Sequence, residues 1–138
     1  MRGVLGVIAG FVAAFVCVQI AEMITHQLYP FPPGADMHDM ATIKRFVATL
    51  PVKALAIVLS GWLLGALLGT FLAAKIGRSR VPAYVLGALL LCLGIVNSFI
   101  IPQPAWFTAV SVVIFIAAPF AGIALAAKSW SAPAMPAL

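Results

Sequence analysis

Four apolar runs, each about as long as a bilayer is thick, dominate the 138 residues. They cover residues 3–28, 51–76, 81–101 and 105–127. A helix needs about 20 such residues to cross the ~30 Å hydrocarbon core. Inside lipid every backbone N–H and C=O must be satisfied within the protein, and a helix does this segment by segment. The runs therefore predict an all-α fold: an integral membrane bundle of four transmembrane helices. The composition agrees, with 64% hydrophobic and 8% charged residues, against roughly 25% charged in soluble domains. This length makes one domain, over residues 1–128. Residues 129–138, all small, aromatic or proline apart from a Met and a Leu, read as a disordered tail. The first run follows a single basic residue, Arg2, and is too long for the apolar part of a signal peptide. With no A-x-A cleavage site behind it, it reads as a retained membrane helix.

The breaks between runs carry the charge. The longest is the connector 29–50, which begins Tyr29-Pro30-Phe31-Pro32-Pro33-Gly34, a turn no helix can run through. After it, Met37, Met40, Ile43, Phe46, Val47 and Leu50 recur at helical spacing, with Arg45, His38 and Thr49 opposite. This predicts a short amphipathic helix over 36–50, lying in the membrane interface with Asp36 as its N-cap. Asp39 falls on the apolar side of that helix, so it is either a helix-start carboxylate or part of a site. The net charge of +5 does not indicate nucleic acid, because the basic residues flank apolar runs and act as topology signals. Arg2, Lys75, Arg78, Arg80 and Lys128 would lie on one side; Lys44, Arg45 and Lys53 on the other. The larger group belongs inside, giving cytoplasmic termini. Pro119 is expected to kink the fourth helix, and Trp106 to anchor its outer end.

The second run carries Gly61, Gly65, Gly69, Ala73 and Gly77 at spacing four, and the first carries Gly6, Gly10 and Ala14 in the same way. Such stripes let helices approach at backbone distance. The stripe Gly61, Gly65, Gly69, Ala73 must receive either another segment of this chain or a second copy, which would make a homo-oligomer. The bilayer itself is the other partner.

Polar residues inside the runs collect at one depth. Gln19, Glu22 and His26 lie in the outer third of the first helix, Asn97 and Ser98 near the outer end of the third, Thr108 and Ser111 near that of the fourth, and Ser60 with Trp62 in the outer half of the second. Polar groups are costly in lipid, so these are expected to face one another or a water-filled recess. The expectation is an outward-opening pocket holding Gln19, Glu22, His26, Asn97, Ser111 and Trp62, with the connector as partial lid. Glu22 and His26 are four apart and share a helix face. They suit ligand binding, proton coupling by Glu22 in a small permease, or a pair that bonds Asn97 and only fixes helix register. A metal site from Glu22, His26, His38 and Asp39 is a weaker candidate. Trp62 also suits an interface anchor. Ser60, Ser98 and Ser111 lack any G-x-S-x-G context, so catalysis is not indicated. With no phosphate loop or dinucleotide fingerprint, no cofactor is expected. The reading is of a non-enzymatic membrane protein that binds a small ligand, lipid or protein partner.

Several of these residues together resemble a known pattern: Glu22-x3-His26-x-Leu28-Tyr29-Pro30, Pro33-Gly34-x-Asp36, Leu50-Pro51, Gly61-Trp62-x2-Gly65 with Gly69, and Pro102-x-Pro104-x-Trp106-Phe107. The pattern is similar to that of an uncharacterised family of small bacterial four-helix integral membrane proteins, and extends to about residue 127. The resemblance implies this topology and the bacterial inner membrane, and no activity. Members often carry a histidine where this chain has Gln103, and its absence here counts against a metal site needing a third imidazole.

Overall fold

The computed structural model describes residues 1–34, 36, 38–101 and 103–131, the last three by backbone alone. Five helices follow in order: α1 (Arg2–Leu28), α2 (Met40–Thr49), α3 (Val52–Gly77), α4 (Val81–Ile100) and α5 (Ala105–Ser131). The described residues form no strand. Four of the helices are long and apolar enough to cross a membrane, and α2 is not. The chain is thus an all-helical, multi-pass membrane bundle with one short extra helix.

α3 is the centre. It packs against α1, α4 and α5, whereas α1 and α5 do not meet, and α1 touches α4 along only part of its length. The small-residue stripes explain the α1–α3 seam. A Cβ on Gly65 would lie 2.8 Å from the Ala14 carbonyl oxygen, and one on Gly69 would lie 2.7 Å from that of Gly10. Gly61 meets Ala21, and Gly6 meets Ala73. The two helices are therefore antiparallel and in backbone contact over most of their length. This decides the partner of the stripe: it is α1 of the same chain, which leaves Gly61, Gly65, Gly69 and Ala73 closed to a second copy. On the opposite side Thr70, fully buried, places its hydroxyl 2.7 Å from the Ala66 carbonyl and 3.0 Å from that of Ala118, tying α3 to α5. Gly87 and Gly94 both face α5, against Pro119 and the Phe115 ring.

Gly3, Gly77 and Pro82 converge, so the start of α1, the end of α3 and the start of α4 share one end of the bundle. The up-and-down order places Arg2, Lys75, Arg78, Arg80 and Lys128 at that end, and Glu22, Asp36 and Asp39 at the other. Gly77 is needed for space: a Cβ there would press on the Pro82 ring, while Arg78 takes the left-handed cap conformation (φ 50°).

Helix boundaries depart from expectation in three places. Pro51 precedes α3 as its N-cap residue instead of opening its first turn. α5 continues through Pro119 and past residue 127 to Ser131, because Ser129-Trp130-Ser131 contain no breaker before Pro133; the remainder of the expected tail, 132–138, lies outside the described residues. The interfacial helix begins at Met40, not Asp36. Asp36 instead accepts the His38 N–H (2.9 Å), a local turn that competes with helix. Asp39 is the N-cap, accepting from the Ala41 N–H (3.2 Å) and the Thr42 hydroxyl (2.9 Å). Most of the expected stripe holds: Ile43, Phe46, Val47 and Leu50 are half-buried and Lys44 and Arg45 exposed, but Met40, in the first turn, is exposed as well. Met37 lies outside the described residues.

The Thr42 hydroxyl, and after it the Ala41 N–H, hold the Asp39 carboxyl below the usual carboxylate range. A carboxyl lowered on folding stabilises α2 above the ordinary aspartate value and loses that contribution as pH falls through its lowered one. Amide exchange at residues 40–49 is therefore expected to accelerate as pH is lowered through that window, once corrected for intrinsic rates. Asp39→Asn, which caps without titrating, should abolish the pH dependence; an unchanged profile in that variant would refute the assignment.

Candidate functional site

The site is built where α1 and α4 diverge. These helices run parallel and are close at their starts, where a Cβ on Gly10 would meet Leu86 Cδ2 at 2.7 Å. Further along they part and leave a groove of about 300 Å³. Phe11, Phe15 and Val18 of α1 face Leu90, Leu93 and Gly94 of α4 across it, and Trp62, Ala66 and Phe115 form its back. Its polar members are Gln19, Glu22 and Asn97, with Trp62. Phe15 and Leu93 are also exposed on the outer surface of the bundle, so the groove has a lateral mouth on the lipid-facing side. Beside it lies an open surface hollow lined by Gln19, Glu22, Met23, His26 and Gln27, all of α1 and all exposed. Gln19 and Glu22 belong to both, and so form the step from one to the other.

Trp62 is the buried wall of the groove. Only 7% exposed, it packs its ring edge-on to Phe107 (5.2 Å, 75°) and stacked near Phe115 (5.7 Å, 28°). It is a core residue, not an interface anchor. Its Nε1–H is buried and has no acceptor among the described residues. A buried donor left unpaired costs about 1–3 kcal/mol. The registration of Gly61 on Ala21 and Gly65 on Ala14 sets Trp62 level with residues 18–20 of α1, about one turn below Glu22.

The remaining candidates separate. Ser111 is fully buried but donates to the Thr108 carbonyl (2.8 Å) in its own helix and does not line the groove. Ser60 is exposed and donates to the Ala56 carbonyl (2.8 Å). Ser98 donates to Gly94 (3.0 Å) and, at 3.4 Å, to Gln103 Oε1. These hydroxyls satisfy themselves on helix carbonyls one turn back, an option that helical spacing alone does not reveal. His26 is exposed and lies against Phe31 (4.9 Å), which stacks on Phe46 (4.1 Å, 24°). The connector is thus moored to His26, and no described residue of 29–50 lines the groove as a lid. No side-chain hydrogen bond among the described residues joins Glu22, His26 and Asn97.

The weak metal candidates do not converge: no group of three His, Cys, Asp or Glu comes together among the described residues. Asp39 is committed to capping α2, and His38 lies in the turn before it. Cys17 packs on Gly65 in the α1–α3 seam, Cys92 is exposed, and both are free. Sequence reasoning missed the apolar wall: Phe11, Phe15, Leu90, Leu93 and Phe115 read as ordinary membrane residues. The glycine at 94, where a Cβ would meet the Phe115 ring at 2.6 Å, was the one signal that α4 and α5 close on each other there. Compared with known proteins, the chain matches no family model, no curated protein and no solved structure.

Proposed function

We propose that this chain is a non-enzymatic inner-membrane protein, with both termini cytoplasmic, that takes a small amphiphile or lipid from the outer leaflet into the α1–α4 groove. The observation that carries the reading is the pairing of an apolar, laterally open groove with a polar rim of Gln19, Glu22 and Asn97. Ligand sites are commonly of this kind, mostly apolar with a few polar groups that fix orientation. The basic end of the bundle supports the orientation by the positive-inside rule. The resemblance to small bacterial four-helix membrane proteins supports the inner membrane.

Leu93→Trp narrows the mouth of the groove without touching the buried seam. Native mass spectrometry of the wild type, released from nanodiscs, should show a retained amphiphile, and this variant should lose at least about tenfold in occupancy, a change of ~1.4 kcal/mol. Helical content should stay the same. Equal retention by both proteins would count against the groove.

Proton-coupled permeation through Glu22 is the second reading. It is favoured by one observation: Glu22 lines both the groove and the open hollow beside it. Its test is acidification in proteoliposomes that disappears in Glu22→Gln.

A further inference from the structure

We infer that a second copy of this chain packs in parallel along the outer face of α1, and that Gln19, Glu22 and His26 make the polar contacts between the two. The inference does not depend on what fills the groove. α1 is covered on one side by α3 and along part of its length by α4, and its remaining face meets no other helix. On that face Leu5, Ile8, Val12 and Phe15, each more than half exposed, recur at spacings that alternate between three and four. The same alternation continues through Gln19, Glu22 and His26, all exposed. This is the repeat by which two helices wind around each other, in lipid as in water. Lipid tails would serve the apolar half of the seam equally well, so the polar half decides its partner.

That half reaches into the hydrocarbon. Residues 54–74 of α3, between Lys53 and Lys75, carry no charge and span about 31 Å, the thickness of the core. Gly61, which faces Ala21, lies about 12 Å along α3 from Lys53. Gln19 and Glu22 flank Ala21 in sequence and so sit well inside the outer boundary, with His26 about one turn nearer to it. None of the three makes a side-chain hydrogen bond among the described residues. Polar and ionisable side chains at such depth almost always face protein or enclosed water. Here they face outward, into a hollow that α1 alone lines. A ligand in the groove leaves His26 uncovered, whereas a helix laid along the seam covers all three. The three are also complementary to themselves across a two-fold axis. A carboxamide both donates and accepts, so Gln19 pairs with its own counterpart; Glu22 supplies acceptors and His26 an N–H, so each copy's Glu22 meets the other's His26. Copies with the same cytoplasmic termini place that axis along the membrane normal, which makes the two α1 helices parallel. Phe15, Gln19 and Glu22 line the groove as well, so the second copy forms part of its mouth.

Two measurements on the full chain in phospholipid vesicles test this. In the first, copies carrying a donor or an acceptor fluorescent protein at the C-terminus are diluted with lipid, and energy transfer is followed. The wild type should keep transfer above that of a monomeric membrane protein at the same density. Gln19→Leu combined with Glu22→Leu should need about tenfold higher density for the same association, the size expected when interhelical polar contacts are lost. Helical content should not change, because both side chains are exposed. In the second, Cys17→Ala and Cys92→Ala clear the background and single cysteines are oxidised. A disulfide needs Cα atoms within about 7 Å, so Val12→Cys, on the seam, should link copies at least about five times faster than Val113→Cys of α5 or Val96→Cys of α4. Val113 and Val96 are exposed to a similar degree, at 64% and 52% against 54% for Val12. Transfer no greater than the monomeric control overturns the inference. Faster linking through Val113 or Val96 puts the second copy on another face and overturns the seam. Undiminished association of the double leucine variant overturns the polar contacts as what joins the copies.

Discussion

Replacing Gly69 by leucine is expected to destabilise the bundle by about 3 kcal/mol, at the upper end of what overpacking costs. Gly69 sits in the close-packed seam between α1 and α3. A Cβ there would lie 2.7 Å from the Gly10 carbonyl oxygen, 3.1 Å from Ala14 Cβ and 3.3 Å from Leu86 Cδ2. The first of these is backbone, which cannot swing aside, so the helices must separate. Separation is costly for a particular reason. In lipid no hydrophobic effect draws apolar helices together, so their association depends on close packing and the few polar contacts. Moving α1 away forfeits contacts at Gly6, Ala14 and Ala21 together. Leu68→Ala, one residue away but 42% exposed, is the control and should change stability by about 0.5 kcal/mol or less. Unfolding in mixed detergent micelles measures both. Equal effects for the two variants would mean that α1 does not lie in this seam. Because Gly10 and Gly69 face each other, Gly10→Ala and Gly69→Ala should also fail to add, as expected of residues in direct contact.

Trp62→Ala is expected to cost about 3 kcal/mol, and Trp62→Phe about 1 kcal/mol or less. The indole belongs to a buried cluster with Leu55, Leu59, Ala66, Phe107, Phe115 and Ala118. Truncation to alanine opens a cavity, which costs about 3–5 kcal/mol for a fully buried aromatic, and it removes two ring–ring contacts. The value at the low end reflects the groove already present on one side of the ring. Phenylalanine keeps most of the packing and deletes a buried donor that has no acceptor, so loss of volume and relief of desolvation partly offset each other. The two substitutions compared by thermal unfolding in detergent, without added lipid, test this directly. A phenylalanine variant as unstable as the alanine one would show that the Nε1–H is satisfied and stabilising.

Much of this architecture was legible in the chain because the bilayer imposes a length and a rule. Each apolar run had to become a spanning helix, and Pro30, Pro32 and Pro33 had to fall outside them. The stripe from Gly61 to Gly77 foretold a backbone-close contact. Its partner was not legible, since spacing four says which residues share a face and nothing about what that face meets. The candidate site was half legible. Gln19, Glu22 and Asn97 stood out because polar residues are rare in these helices, and they do line the groove. Ser111 stood out equally and does not, because its hydroxyl bonds a carbonyl of its own helix. Asp39 could be placed at a helix start or in a site, and only the turn at Asp36 decided that it caps α2.

The sequence by itself determined the four spans, their alternating direction and the placing of charge at the two ends of the bundle, because hydrocarbon tolerates neither unpaired backbone nor exposed charge. Only the tertiary structure decided that α1 covers the glycine stripe, that Trp62 is core, and that α1 and α4 part to leave a groove below Glu22. The physical reason is that lipid tails are as apolar as a protein core. A leucine facing the bilayer and one lining the groove look alike in sequence, and only the packing of α3 against its neighbours distinguishes them.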